Sequence, residues 1–298
     1  MTTTEATITV LGIPLATFLT FSVIAALITT FGNLLALYLK DILAVRSFEK
    51  WKARQALLAA YRKYKEPLFL SAYELSNRLD RLSYSKDSQE EYGRKIDTLY
   101  FKHKGKPKND VTDPYYLKYR LSSNIYRLCS FLYWLEHYRE DIVFLDSGQT
   151  ERNRQLELCL DEIRDDLAGG RINNRTDWQS WKDVLIFKEE QRAIGAQMTN
   201  AKGNLIDYAT FMNILENKEN LEKNRWIYRA VEFFLELTSS KDFRVVRMKM
   251  LVVHLTQLMA LLGERPLDTH ILSRSSALEA DLQKEGFELS TAARRKLR

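Results

Sequence analysis

Residues 13–39, IPLATFLTFSVIAALITTFGNLLALYL, decide the fold because they form one long apolar run in a chain whose residues are 28% charged. No Lys, Arg, Asp, Glu or His occurs from Ala6 to Leu39. A helix rises about 1.5 Å per residue and the hydrocarbon core of a bilayer is about 30 Å thick, so one crossing takes about 20 residues. The run has room for one crossing and not for two. We predict a transmembrane helix over residues 13–39, preceded by a short extracytoplasmic tail of residues 1–12.

A cleaved signal peptide and a buried core helix are the two alternative interpretations of this run. A signal peptide fits poorly, because the leader contains Glu5 and no basic residue, and because signal peptides have an apolar part of only about 7–15 residues. Basic residues follow the run closely: Lys40, Arg46, Lys50, Lys52 and Arg54. Since cytoplasmic flanks are enriched in Lys and Arg, we expect an inner or plasma membrane, with the N-terminus outside and the chain after Leu39 in the cytoplasm.

Small and polar residues recur along the predicted span at helical spacing. One row consists of Gly12, Ala16 and Thr20, and a second row contains Ser22, Ala26 and Asn33. Rows of small residues let two helices approach closely, and amides and hydroxyls can bond across the contact. The rows therefore indicate homo-oligomerisation or a membrane partner. The alternative is that Ser and Thr simply bond to the backbone of their own helix.

Residues 40–66 are predicted to form a basic juxtamembrane helix. The segment contains neither Gly nor Pro, and apolar residues recur at helical spacing from Leu43 to Tyr61. Its basic face can lie against anionic headgroups, where each Lys or Arg contributes about 1 kcal/mol. The alternative is an ordinary basic flank without lipid specificity. We expect the helix to end at Glu66, because Pro67 disfavours helical geometry in the residue before it.

The remainder of the chain is predicted to be all-α. It contains too few turn-forming residues for an all-β fold, with 11 Gly and 5 Pro in 298 residues. Helices are expected over 67–84, 113–140, 150–168, 176–198, 204–217, 219–238 and 241–262. The first of these places Leu68, Ala72, Leu75, Leu79 and Leu82 on one face, and the second contributes aromatic residues to the core. The helices form a cytoplasmic multi-helix bundle over residues 67–272, followed by a poorly ordered basic tail over 273–298.

Sequence signatures of the common enzyme classes are missing from the chain. It has no P-loop, G-x-G-x-x-G, H-E-x-x-H or G-x-S-x-G motif, so no reaction and no cofactor is indicated. Its four histidines lack the Glu-x-x-His spacing of di-iron bundles, so no metal site is predicted. Cys129 and Cys159 lie among apolar residues and are expected in the core rather than as nucleophiles.

One polar cluster, KEEQRAIG at residues 188–195, interrupts an otherwise amphipathic helix. One interpretation is a solvated helix face, in which Gly195 permits close packing. The other is a buried network of Glu190, Gln191 and Arg192 at the centre of the bundle, where Arg192 binds an anionic ligand. These three residues are the ligand-binding candidates.

Four blocks of the chain resemble, in the same order, segments of a broad family of uncharacterised helical proteins from bacteria. The blocks are KEPLFLSAYELSNRLDRLSY, SSNIYRLCSFLYWLEHYREDIVFLDSG, FKEEQRAIGAQM and LVVHLTQLMALLGERPLD. The central block of that family resembles G-E-Q-R-A-I-G-E, from which this chain departs at Glu189 and Ala196. That family has no established activity, so the resemblance implies a helical fold and no particular chemistry.

The sequence predicts a membrane-anchored cytoplasmic scaffold or adaptor that binds other proteins at the membrane surface. Two alternatives remain open: a self-associating, channel-like membrane effector gated by its cytoplasmic domain, and a membrane-tethered enzyme of unknown reaction. The expected partners are a bilayer with anionic headgroups, other proteins and further copies of the chain. Nucleic acid is a weaker candidate, although the net charge of +6 is compatible with it.

Overall fold

The computed structural model describes residues 9–10, 13–40, 45–83, 114–143, 151–169, 185–234, 243–263, 266–287 and 289. The elements are β1 (Thr9–Val10), β2 (Ile13–Pro14), α1 (Leu15–Tyr38), α2 (Val45–Ser83), α3 (Pro114–Val143), α4 (Glu151–Ala168), α5 (Lys188–Gln197), α6 (Tyr208–Glu216), α7 (Lys218–Lys223), α8 (Arg225–Phe234), α9 (Phe243–Leu262) and α10 (Thr269–Lys284). The described part consists of helices and short connecting segments, with one two-stranded ribbon and one isolated bridge. The chain divides into two compact units between Leu57 and Leu58.

The first unit contains the strands, α1 and the beginning of α2, residues 45–57. β1 and β2 pair antiparallel, with Thr9 opposite Pro14 and Val10 opposite Ile13. Pro14 lies directly before α1, where a backbone N–H would have no acceptor within the helix. The N–H that proline lacks therefore costs α1 no hydrogen bond. α1 is 24 residues long, and its side chains are exposed from Thr20 onwards. The apolar helix near the N-terminus is confirmed, and by length and composition it is compatible with a membrane anchor or a signal sequence.

α2 corrects the helix end that was predicted at Glu66. The helix runs from Val45 to Ser83 with Pro67 in its interior. An interior proline removes a backbone hydrogen bond and costs a helix about 3 kcal/mol. Packing offsets this cost, because each fully buried Leu contributes about 2 kcal/mol. The predicted face is confirmed as buried: Leu68, Ala72, Leu75, Leu79 and Leu82.

The core of the second unit is organised around α3 and α9. α3 packs on α5, α6 and α8. Of the aromatic residues predicted for its core, Tyr133 is buried, Tyr126 and Trp134 are half-buried, and Tyr119 is exposed. The side chain of Tyr115 lies outside the described set. α9 packs on α4 and α10, and 83% of its apolar stretch is buried. Both cysteines, Cys129 on α3 and Cys159 on α4, are buried as predicted.

The other predicted helices differ from the structure mainly at their ends. α5 begins at Lys188, because the backbone of Phe187 is extended, and residues 176–184 of the helix predicted there lie outside the described residues. Where a helix was predicted over 219–238, the described residues form two helices, α7 and α8, separated by Asn224. Residues 235–238 of that prediction lie outside the described residues. Nδ2 of Asn224 donates to the carbonyl oxygen of Asn220 at 2.8 Å. Asparagine favours such local bonds over continuing a helix.

The basic tail predicted over residues 273–298 is wrong in its first part, where α10 continues to Lys284. Two physical causes explain the helix. Leu278 and Leu282 are four residues apart on one helix face, and both are fully buried. Asp268 caps the helix start, since its Oδ1 accepts from the backbone N–H of His270 at 2.9 Å. The basic sequence RRKLR at residues 294–298 lies outside the described residues.

Candidate functional site

Glu190, Gln191 and Arg192 lie in the first turns of α5 and contact different neighbours. Consecutive residues of a helix point about 100° apart, so three in a row do not share one face. Gln191 is fully buried, whereas the side chain of Arg192 is 67% exposed. The structure therefore does not bring the three side chains together as the predicted network at the bundle centre.

Gln191 joins α5 to the end of α4. Its side-chain nitrogen donates to the carbonyl oxygens of Arg164 (2.9 Å) and Ile186 (2.8 Å). Its Oε1 is buried and accepts no hydrogen bond from any described residue. A satisfied hydrogen bond contributes about 1 kcal/mol, while an orphaned buried group costs about 1–3 kcal/mol. Gln191 thus links the start of α5 to the end of α4, and its side-chain oxygen is left without a hydrogen bond from any described residue.

Glu190 caps α5 and ties it to α8. Its Oε2 accepts from the backbone N–H of Phe187 at 2.9 Å, as in a capping box. Its Oε1 accepts from Nε of Arg229 at 3.1 Å. Arg229 also donates to the carbonyl oxygen of Leu185 at 2.9 Å. Both carboxylate oxygens of Glu190 are therefore engaged within the fold.

Arg192 lies at the surface beside the buried Glu136 of α3. Its Nε is 3.8 Å from Oε2 of Glu136, and Nε of Arg164 lies 3.4 Å from Oε1 of the same carboxylate. Burial raises the pKa of Glu136, and Arg164, Arg139 and Arg192 oppose that rise. The guanidinium predicted to bind an anionic ligand is therefore an exposed counter-charge for a carboxylate of the same chain.

Gly195 lies where α5 crosses α3. A Cβ atom at this position would come within 3.1 Å of the carbonyl oxygen of Leu132 and 3.5 Å of Cγ of Glu136. The first distance is closer than ordinary van der Waals contact. The absence of a side chain thus lets the two helices approach, as the close-packing interpretation of Gly195 predicts.

A second polar cluster, which the sequence analysis did not single out, lies between α4 and α9. We call it the α4–α9 polar cluster, and it consists of Glu162, Asp166, Arg247 and His254. Nδ1 of His254 lies 2.6 Å from Oδ2 of Asp166, and its Nε2 lies 3.9 Å from Oε2 of Glu162. All four residues are buried. Burial raises the pKa of Asp166, and the neighbouring His254 and Arg247 oppose the rise.

Arg247 caps the carboxyl end of α4 from inside the core. Its side chain is fully buried, and it donates to the carbonyl oxygen of Asp166 and, at 2.7 Å, to that of Gly169. The last carbonyls of a helix lack partners within the helix and carry partial negative charge, so a cation there satisfies both needs. Desolvation lowers the pKa of Arg247 to about 10, which leaves it charged at neutral pH.

The Asp166–His254 pair has the chemistry of a general base and its orienting carboxylate. General base catalysis also needs a substrate within hydrogen-bond reach of the second ring nitrogen. Nε2 of His254 faces Glu162 inside the core. The α4–α9 polar cluster is therefore an electrostatic cross-link between helices. Among the residues that the structure describes, no group of three or more His, Cys, Asp or Glu could hold a metal ion.

The sequence does contain a pattern that could have revealed this cluster. α9 is apolar enough to cross a membrane, yet it carries Arg247 and His254 seven residues apart on one face. Glu162 and Asp166 are four residues apart on α4 and share a face in the same way. Ionisable side chains in an apolar helix require a buried partner. A pair of acidic residues on one face of α4 and a pair of basic residues on one face of α9 thus indicate that the two helices are in contact.

The predicted membrane-facing residues lie only partly within the described side chains. Lys40 and Lys52 are exposed, whereas the side chains of Arg46, Lys50 and Arg54 lie outside the described set. The predicted oligomerisation rows also lie only partly within the described side chains. Thr20, Ser22, Ala26 and Asn33 are exposed on α1, while Gly12 and the side chain of Ala16 lie outside the described set.

Two further polar residues of α1 bond to their own helix. The hydroxyls of Thr29 and Thr30 donate to the carbonyl oxygens of Ala25 and Ala26, each at 2.8 Å. Such bonds let a threonine enter an apolar environment without a partner helix. For these two residues the structure agrees with the alternative of intrahelical bonding.

No protein-family model, no curated protein and no solved structure matches this chain. The resemblance of four blocks of the chain to a family of bacterial helical proteins therefore stays a prediction. The case for a function rests on the exposed helix α1 and on the way that the second unit uses its polar groups.

Proposed function

We propose that the protein is a single-span membrane protein whose cytoplasmic helical domain acts as a scaffold or adaptor for other proteins. The observation that carries the proposal is the contrast between its two membrane-length apolar helices. In α9, 83% of the apolar stretch is buried, whereas none of the stretch Thr20–Tyr38 in α1 is buried. Soluble folds hide apolar surfaces of this size, so the exposed helix requires another apolar environment.

The length of α1 favours an anchor over a cleaved signal sequence. Its 24 residues span about 36 Å at about 1.5 Å per residue, which exceeds the bilayer core of about 30 Å. Signal sequences have an apolar part of about 7–15 residues after a basic segment. The single ionisable side chain among residues 1–14 of this chain is that of Glu5.

The distribution of charge favours a cytoplasmic second unit. Basic residues follow α1 closely, and such a flank is typical of the cytoplasmic side of a span. Lys40 and Lys52 have exposed side chains. Each such residue near an anionic leaflet contributes about 1 kcal/mol, so the basic flank of residues 40–54 also attracts anionic headgroups.

The interior of the second unit favours a binding module over an enzyme. Glu190 and the α4–α9 polar cluster use their charged groups to hold helices together. The outside of the unit carries large apolar side chains, among them Leu70, Tyr119 and Tyr228, which are 56%, 43% and 43% exposed. Aromatic and aliphatic side chains of this kind form the energetic centres of protein–protein contacts.

The test of the anchor and its orientation uses the full chain in its native membranes. We expect the protein to resist alkaline carbonate extraction and to float with lipid, and a reporter fused after Arg298 to be protected in intact cells. Release by carbonate, or labelling of the reporter from outside, would overturn the anchor or its orientation respectively.

The scaffold role is tested by crosslinking in those membranes followed by affinity capture. A control protein that carries residues 1–57 shares the span and the basic flank and lacks the second unit. Proteins retained by the full chain and lost with this control support the scaffold role. Identical sets from both proteins contradict it.

Self-association of the span is a second candidate function, and Asn33 favours it. The amide of Asn33 is exposed on α1 and has no hydrogen-bond partner in the described part of the chain. An amide alone in hydrocarbon is costly, and two copies of the helix can satisfy each other. Asn33→Leu should reduce crosslinked oligomers of the full chain in detergent. The control is Phe31→Leu, because Phe31 is exposed and lies about 160° away from Asn33 around the helix. Oligomers that persist unchanged in Asn33→Leu would exclude this candidate.

A further inference from the structure

An aromatic pair at the beginning of α2 stands exposed beside a cation. Phe48 and Trp51 are 52% and 53% exposed. Their rings stack with centroids 5.8 Å apart and planes inclined by 16°. Nζ of Lys52 lies 4.7 Å from the centroid of the Phe48 ring. Two large apolar rings are therefore held side by side at the surface with a positive charge next to them.

The surroundings of this pair match one kind of partner. The pair belongs to the same unit as α1 and lies in the first two turns of the helix that follows it. Residues 45–57 contain four basic residues against one acidic residue, Glu49, so the local charge is positive. Tryptophan and other aromatic residues are enriched at membrane–water interfaces, and lysine stems extend from there to headgroups. A contact with lipid requires the rings to lie near the membrane span, as they do along the chain, whereas a contact with another protein does not require it.

We propose that Phe48 and Trp51 seat the beginning of α2 in the headgroup region of an anionic bilayer, with Lys52 reaching the lipid phosphates. This inference rests on the proposed membrane anchor and adds a second contact with the same membrane. A helix that lies in the interface buries its apolar face by about 5–10 Å, while the opposite face stays in water. The two rings are about 60° apart around the helix, so they can enter the lipid together.

The test labels single cysteines in the full chain, reconstituted in vesicles of phosphatidylcholine and phosphatidylglycerol. Cys129 and Cys159 are buried, and burial raises the pKa of both thiols, so an added exposed cysteine reacts selectively with a fluorescent maleimide. Trp51→Cys and Phe48→Cys report on the two ring positions. Ala56→Cys is the matched control, because Ala56 is also exposed and points about 140° away from Trp51.

Lipids that carry a spin label in the headgroup should quench the fluorophore at positions 48 and 51 about twofold more than at position 56. Equal quenching at the three positions would overturn the inference. Shielding of position 51 from aqueous iodide without quenching by lipid would also overturn it, because it would show a second copy or another protein over the rings. Flotation of the same vesicles separates the two proposals. Protein that floats with equal quenching refutes the aromatic contact alone, and protein that does not float refutes the anchor as well.

Discussion

Replacing Arg247 with methionine tests whether the α4–α9 polar cluster holds the second unit together. The guanidinium is fully buried and donates to the carbonyl oxygens of Asp166 and Gly169. Methionine keeps an unbranched apolar stem and donates nothing, so both acceptors at the end of α4 lose their partner. An orphaned buried acceptor costs about 1–3 kcal/mol, and the partly buried carbonyl of Gly169 costs less than the buried one of Asp166. The expected loss in the free energy of unfolding is therefore about 2–5 kcal/mol. Removal of one member of a buried charged pair, at about 3–5 kcal/mol, falls in the same range.

The assay is urea unfolding of the full chain in mild detergent, followed by far-ultraviolet circular dichroism. The matched control is Lys249→Met on the same helix, which removes an equal charge from a pair with Glu285 (2.7 Å) whose carboxylate is 44% exposed. A partly exposed pair of this kind contributes about 1 kcal/mol or less. Equal unfolding midpoints for Arg247→Met and Lys249→Met would refute the conclusion that Arg247 caps α4 from within.

Three further predictions concern Arg192, Glu136 and α1. Arg192→Ala should lower the free energy of unfolding by about 1 kcal/mol or less, because the arginine of its pair with Glu136 is exposed to solvent. A much larger decrease in the free energy of unfolding, measured by calorimetry, would assign Arg192 to the core. Burial raises the pKa of Glu136 above 4.5, so over the pH range between the unfolded and the native pKa the native state holds a proton that the unfolded chain has released. The free energy of unfolding therefore falls as pH rises through that range. Glu136→Gln should therefore show a flatter decline from pH 4.5 to 7, and parallel urea midpoints for the two proteins would contradict this. Leu27→Arg, in the exposed stretch of α1, should raise the free energy of membrane insertion by about 2.5–3.5 kcal/mol and release protein on carbonate extraction. Leu39→Arg, one residue beyond the end of α1, should leave extraction unchanged. Equal extraction of both variants would argue against the span.

Helices with a strong apolar period were predictable, and local rules failed where packing outweighed them. The helix predicted over 241–262 is α9 with nearly the same bounds, because its apolar side chains are buried almost all round. Pro67 was predicted to begin a new helix, and burial of its neighbours keeps α2 continuous instead. α10 was missed because serines and charged residues surround Leu278 and Leu282, although this pair at helical spacing is what buries the helix.

The candidate site was less predictable, because its contacts join residues that are far apart in the chain. Proximity in sequence suggested a network of Glu190, Gln191 and Arg192, yet neighbours in a helix point in different directions. Asp166 and His254 form a buried pair, yet they are separated by 88 positions in the sequence. Single-sequence periodicity shows that each residue lies on a buried face and does not show which helix packs against that face.

The two membrane-length helices also bear on how the chain reaches one topology during synthesis. The machinery that inserts nascent chains into membranes selects segments by their hydropathy. By length and composition α9 also qualifies for insertion, in addition to α1. Arginine and lysine disfavour membrane insertion most strongly at the centre of the bilayer and less towards the ends of a span. Arg244, Arg247 and Lys249 all lie in α9, and together they make it the less favourable of the two helices for insertion. The residue that later caps α4 would thus first keep the nascent segment out of the translocon. If Arg247 and His254 were both replaced by leucine, we expect a fraction of chains to cross the membrane twice. A glycosylation tag after Arg298 would report these chains. Tags that stayed unmodified would refute this dual role of Arg247.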